Sequence, residues 1–222
     1  MGQMRKQTQI NHMLRALQLV NDRDGVRTKS VQFQSCFQLL QAGTTQCGRD
    51  RHVENYSSGQ QSVTGVTSVD DSNSYWRIRG KTATVCERGT PIRCGQPIRL
   101  THVNTGRNLH SHHFTSPLSG NQVWWHPEVS AFGEEGEGDY LDDWTVLCNG
   151  PYWVRDGEVR FKHSSTEVLL SVTGEQYGRP ISGQKEVHGM AQPSQNNYWK
   201  TMEGIFMKPT ELLKTEVHHA EL

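Results

Sequence analysis

IRLTHVNTGRNLHS at residues 98–111 and VRFKHSSTEVLLS at 159–171 carry one pattern twice. Ile98 aligns with Val159, Arg99 with Arg160, and Leu100 with Phe161. His102 aligns with His163, Thr105 with Thr166, and Leu109 with Leu170. Apolar residues alternate with polar ones on either side of VNTGRN and SSTEV, which predicts two β-hairpins. A second element follows each hairpin. GNQ…EVSAFG (120–133) and GQKEVHG (183–189) match an earlier GQQSVTG (59–65). Each ends a near-constant distance before a tryptophan: Gly65 before Trp76, Gly133 before Trp144, Gly189 before Trp199. The strands WRIRG, WTVLCNG and WKTMEG open on those tryptophans. One repeat is therefore a hairpin, a G-x-x-x-V-x-G segment and a Trp strand. Trp76, Trp144, Trp199, Val63, Val129 and Val187 are its expected core positions. A unit this small cannot bury its own apolar face, so three copies must share one core in a closed three-fold β architecture.

Two places break the pattern. Between Cys47 and Gly59 the chain is too short for a hairpin like that between Cys94 and Gly120. The first copy is expected to lack about 14 residues, and the upstream FQLLQAG is not expected to replace them. In the second copy, GNQ and EV are separated by VWWHP, which reads as a five-residue insertion at 123–127 arising from a splice or gene-model variant. The inserted Trp124 and Trp125 are expected to bulge outward in an exposed loop.

The blocks GQQSVTGVTSVDDSNSYWRIRG and GQPIRLTHVNTGRNLHSHHF, with the final HAEL, resemble the small MIR-domain proteins of the endoplasmic reticulum lumen. The resemblance implies an all-β fold, a β-trefoil of three MIR repeats with the first incomplete. It sets off an atypical N-terminal extension (1–46), expected to be disordered, for which the residues offer only a short helix over 10–20, from a truncated first repeat (47–88). A second repeat (89–149), a third (150–204) and a C-terminal tail (205–222) follow. It implies a non-catalytic accessory factor of protein quality control. The implied partners are a lumenal J-domain co-chaperone, a heat-shock-70-class chaperone and misfolded clients. The alternative is a glycan-binding, lectin-like module linked to O-mannosylated proteins. His219, Ala220, Glu221 and Leu222 resemble a lumenal retention signal, with Ala220 where an acid is usual.

Composition fits this reading. The 222 residues hold 23 basic and 23 acidic side chains, which gives no electrostatic case for nucleic acid. No apolar run reaches the roughly 18 residues of a spanning helix, which argues against membrane insertion and against a membrane-embedded mannosyltransferase. Met13–Val20, interrupted by Arg15 and Gln18, does not read as a secretory leader.

The remaining candidates have bland readings. His110, His112 and His113 in NLHSHHF are expected on a partly exposed strand, without a metal. EEGEGDYLDD (134–143) lacks calcium-loop spacing and is expected to be a solvated loop. Cys86 and Cys94 bracket ERGTPIR and are the candidate disulfide, with Cys148 as a rival partner for either. Asn55-Tyr56-Ser57 is a glycosylation sequon inside the abnormal first copy. No nucleophile elbow, zinc-protease helix or phosphate loop is present, so neither catalysis nor a cofactor is expected.

Overall fold

The computed structural model describes residues 36–38, 41–42, 58–66, 72–86, 90–121, 125–154, 157–179 and 183–201. These residues are all-β, with short 3-10 turns and no α-helix among them. None of their helices is long and apolar enough to cross a membrane. The strands are β1 (Cys36–Gln38), β2 (Gln41–Ala42), β3 (Gln61–Gly65), β4 (Tyr75–Gly80), β5 (Pro97–His102) and β6 (Asn108–Thr115). They continue with β7 (Pro127–Phe132), β8 (Trp144–Cys148), β9 (Val159–His163), β10 (Leu169–Gln176) and β11 (Lys185–Met190).

Alternation decides which side of each strand faces inward. In β4, Trp76, Ile78 and Gly80 are buried while Tyr75, Arg77 and Arg79 are half-exposed. In β9, Val159, Phe161 and His163 are buried and Arg160 and Lys162 lie outside. The inward residues form one cluster of apolar side chains, including Trp76, Trp144, Trp153, Trp199, Ile98, Leu100, Leu109, Phe161 and Leu170. Each large apolar side chain so enclosed contributes about 1.5–3 kcal/mol.

The hairpin turns follow the aligned pattern. His102 N donates to Arg107 O and Gly106 N to His102 O; His163 N donates to Val168 O and Glu167 N to His163 O. Gly106 (φ +68°) and Glu167 (φ +61°) hold the same left-handed corner. Glycine adopts that conformation freely, whereas glutamate is strained there.

The three copies interlock in register. β3 pairs β7 (Gln61↔Ala131), β3 pairs β11 (Glu186↔Thr64), and β7 meets β11 (His188↔Glu128). The G-x-x-x-V-x-G strands of the three copies therefore pair with one another. Around the outside, β5, β8, β9, β10, β11, β7 and β6 form a hydrogen-bonded circuit that returns to β5. A closed circuit shields the strand edges that an open sheet would expose.

The first copy departs from expectation. Opposite the Trp strands stand Ile98 (to Trp144) and Val159 (to Trp199). Phe37 of β1 stands in the same relation to Trp76, and β2 pairs β3 at Ala42↔Val63. The upstream Cys36–Gln38 and Gln41–Ala42 thus take up the two pairings that the missing hairpin would make. A ladder needs only backbone N–H and C=O groups, so no side-chain motif had to be shared.

Candidate functional site

The polar groups near the core fall into two kinds: anchors repeated between copies, and a histidine-rich face particular to the second copy. In the anchors, the Trp144 indole N–H donates to Leu109 O at 2.9 Å, and the Trp199 N–H to Leu170 O at 2.8 Å. Trp76, Trp144 and Trp199 are buried, as are Val63, Val129 and Val187. A histidine packs on two of these indoles: His102 on Trp76 at 5.0 Å and His163 on Trp144 at 4.8 Å. His102 Nε2 donates to Asn73 O, and His163 Nε2 to Leu141 O. The Thr105 and Thr166 hydroxyls serve the respective Nδ1 atoms at 2.8 and 2.7 Å. This pattern fits neutral imidazoles. Burial lowers His163 to about 4, outweighing the bond to Leu141.

Two residues before Trp144 sits Asp142, fully buried in a one-turn 3-10 segment. Its carboxylate accepts from His110 Nδ1 (2.8 Å), Asn108 Nδ2 and Asp139 N (both 3.0 Å). Asn197, two residues before Trp199, plays the matching part, accepting from Ser194 N and Arg160 Nε. His110, Asp139 and Asp142 bring one ligand atom each within 4.8 Å of one another, a spacing a cation could use. Yet Asp142 and His110 already bond to each other and Asp139 accepts from Leu141 N, so these groups are committed to capping. Asp142 was expected in a solvated loop. Its burial follows from its place in the capping turn, a role the acidic run does not signal.

The β6 face continues outward. His110 and His112 do share a side, with rings 5.2 Å apart, but both are buried rather than partly exposed. His112 Nε2 donates to Glu128 Oε2 at 2.9 Å, and Ser58 N donates to the same oxygen at 3.1 Å. Burial pushes Glu128 up, but these donors hold it below the ordinary carboxylate value. Beyond them, Phe114 is 54% exposed and packs on His112.

The inserted segment divides in two. Trp125 is 43% exposed and stacks on His113, with ring centroids 5.5 Å apart and planes within 10°. Trp124 lies outside the described residues. His126 and Pro127 do not bulge out: Pro127 opens β7 opposite Thr115, and His126 is buried. Proline suits the first position of a strand because it has no N–H to donate to the ladder. The His126 ring packs on buried His188 at 4.8 Å and bonds Ser119 O. Burial chiefly lowers His126, with His188 adding to it.

Beneath them, Glu186 accepts from Ser116 Oγ, Leu118 N (2.7 Å) and Ser119 N (2.9 Å). Burial works against its charge, yet His188 and these donors bring it down to about 2. His188 Nδ1 lies 3.5 Å from Glu186 Oε2, and neither ring nitrogen makes a hydrogen bond. No sequence signal pointed to Glu128 or Glu186, although both immediately precede the repeat valines.

The disulfide expectation is corrected. Cys94 bonds Cys148, with Cα atoms 5.2 Å apart, and Cys86 is a free thiol. Cys94 N donates to Pro151 O and Gly95 N to Val146 O, so the approach to β5 already lies along β8. The retention-like residues His219, Ala220, Glu221 and Leu222, and the sequon at Asn55, lie outside the described residues. In this face the buried carboxylates are each engaged by several donors. The exposed groups are Phe114, Trp125 and His113.

Comparison with known proteins places the chain in a family. Residues 39–151 match the MIR domain model. Stromal cell-derived factor 2 of Homo sapiens is 93% identical over 165 residues, covering 74% of this chain and 76% of that protein. The crystal structure of the SDF2-like protein from Arabidopsis thaliana is 32% identical with a TM-score of 0.74, covering 82% of this chain and all of that one. The protein O-mannosyltransferase Pmt1–Pmt2 complex of S. cerevisiae shares the fold at 20% identity and a TM-score of 0.65, over 90% of this chain and 31% of that one.

Proposed function

The chain belongs to the stromal cell-derived factor 2 family of MIR-domain proteins, and on that premise we propose a non-catalytic accessory factor of protein folding in the endoplasmic reticulum lumen. Its architecture is a β-trefoil; the mutual pairing of β3, β7 and β11 and the repeated Trp–His anchors support this. It associates with a lumenal J-domain co-chaperone and, through it, a heat-shock-70-class chaperone, and keeps misfolded clients soluble. The tail His219–Leu222 serves lumenal retention.

The observation that carries this reading is the exposure of two aromatic side chains at the outer end of β6, Phe114 packed on His112 and Trp125 stacked on His113. Exposed aromatic side chains can engage unfolded segments without performing chemistry. Co-purification of the tagged chain with lumenal chaperones, with and without residues 123–127, tests it. Recovery of both chaperones is expected; their absence in both forms defeats the proposal.

A second reading, a glycan-binding module, draws on the Trp125–His113 stack, since an exposed indole is a platform for a sugar ring. A glycan array distinguishes the two. Mannoside binding that disappears in Trp125→Ala displaces the chaperone reading.

A further inference from the structure

A basic cluster on the opposite hairpin plays no part in the reading above. β4 and β5 run antiparallel with Arg79 directly opposite Arg99, and Arg77 opposite Thr101. Trp76, Ile78 and Gly80 point inward, so Arg77 and Arg79 stand on the outer face. Like charges directly opposite on a ladder are destabilising. The chain has no net charge, so this concentration is local.

Two of the guanidiniums converge on one glycine. Arg99 Nη1 donates to Gly136 O at 2.9 Å, and Arg99 Nε donates to Gly80 O at 3.0 Å. A Cβ on Gly136 would fall 2.6 Å from Arg79 Cζ, so the absent side chain lets the Arg79 guanidinium lie against the loop backbone. Arg79 Nε is buried there and makes no hydrogen bond. A buried donor without an acceptor is costly, and native structures rarely leave one.

The neighbouring acids do not balance the cluster. Glu137 faces Arg79 from the exposed loop, and Asp143 faces Arg99. Asp143 Oδ1 already accepts from Thr82 N at 2.7 Å and Thr82 Oγ1 at 3.0 Å. Burial lowers Arg79 first, then repulsion from Arg77 and from Arg99, ahead of the pull of Glu137. The next copy serves as an internal control. Thr145 and Leu147 stand where Arg77 and Arg79 do in the Trp strand, and Arg160 stands where Arg99 does. Arg160 is satisfied within the fold: its Nε donates to Asn197 Oδ1 at 2.9 Å and its guanidinium lies 3.6 Å over the Tyr198 ring. Arg99 is likewise held, by Gly80 O and Gly136 O, but Arg79 Nε, on the residue where Leu147 stands in the next copy, has no acceptor.

We propose that Arg77, Arg79 and Arg99 form a binding site for a tetrahedral oxyanion, the phosphate or sulfate ester of a small molecule or a modified chain. Guanidinium N–H forks match such oxygens and form charge-assisted hydrogen bonds. The site stands apart from Phe114 and Trp125 and does not depend on the chaperone reading.

Calorimetric titration of the full chain with inorganic phosphate and sulfate at low ionic strength tests it, with acetate as the carboxylate comparator. Phosphate affinity should fall at least about tenfold in Arg79→Gln and in Arg77→Gln, the loss of a charge-assisted contact. It should stay within about twofold in Arg179→Gln, which removes an exposed cation beyond β10. Phosphate should raise the melting temperature of the wild type and not that of Arg79→Gln. Because the substitution relieves repulsion, Arg79→Gln should melt no lower than the wild type at low salt. If it folds poorly, Arg77→Gln supplies the same reading. Hexose 6-phosphate and a phosphoserine peptide, titrated in parallel, tell a sugar source from a peptide one. Unchanged affinity in both arginine variants, an equal loss in Arg179→Gln, or acetate binding as tightly as phosphate overturns the site.

Discussion

Trp144 with His163 and Trp125 with His113 are the same two side chains at nearly the same distance, 4.8 and 5.5 Å. The first pair is buried, its indole N–H bonded to Leu109 O and its imidazole held between Thr166 and Leu141. The second is stacked in the open, on a residue of the insertion. The residue pair carries no fixed meaning. Hydrogen-bond partners and enclosure make one a structural anchor and leave the other free to meet a ligand.

The contrast is most easily broken at the anchor. Trp144→Ala removes a fully enclosed indole and strands Leu109 O, so it should cost roughly 3–5 kcal/mol in urea denaturation. A loss below about 1 kcal/mol would mean the site collapses around the gap and is no anchor. Cys148→Ser opens a loop with a sequence separation of 54 and should cost roughly 2–4 kcal/mol, with the difference vanishing under reducing conditions.

The buried histidine gives the next effect. Unfolded, His163 takes a proton near 6.5; folded, burial holds it to about 4. The unfolded chain therefore binds more protons between those values. Stability is complete above pH 6.5 and declines as pH falls, by about 2 kcal/mol at pH 5 from this residue. His126, also lowered by burial, adds to the decline. Glu186, at about 2, deepens it only below the ordinary carboxylate range, and Asp143, raised by burial, acts in the opposite sense. The pH 7 to pH 5 change in denaturation midpoint should shrink in His163→Asn, whatever that variant's absolute stability. An undiminished slope would assign the acid sensitivity elsewhere.

Smaller effects sharpen the comparison between copies. Glu167→Gly gives the third copy the corner residue of the second and should gain about 1 kcal/mol by relieving the left-handed strain. Trp125→Ala should shift stability by less than about 0.5 kcal/mol, as surface substitutions do, while weakening partner recovery. A large destabilisation would make the open pair a second anchor.

The parts legible in the sequence were those repeated in it. Aligning Ile98 with Val159 and His102 with His163 anticipated positions that share register and hydrogen bonding. Four features escaped. The Cys36–Gln38 and Gln41–Ala42 strands pair through backbone groups, which leave no residue pattern. Cys86 is nearer to Cys94 in sequence than Cys148 is, but β5 and β8 lie side by side, and pairing in space decides the bond. The insertion boundary misled because His126 and Pro127 continue the incoming strand while Trp125 does not. Unique contacts such as Glu186 with Ser116 and Ser119 have no second copy to announce them.

The meeting of β3 with β11 also sets a timetable. Gly65 pairs with Lys185 and Thr64 with Glu186, so the first copy closes against the last. On the ribosome, about 120 residues must be added before β3 can find that partner, at roughly 5–20 residues per second. Until then the Thr64–Gly65 end of β3 lacks that partner, and long-range pairing of this kind is slow to form. The stretch of synthesis between β3 and β11 is therefore when this chain most needs protection itself.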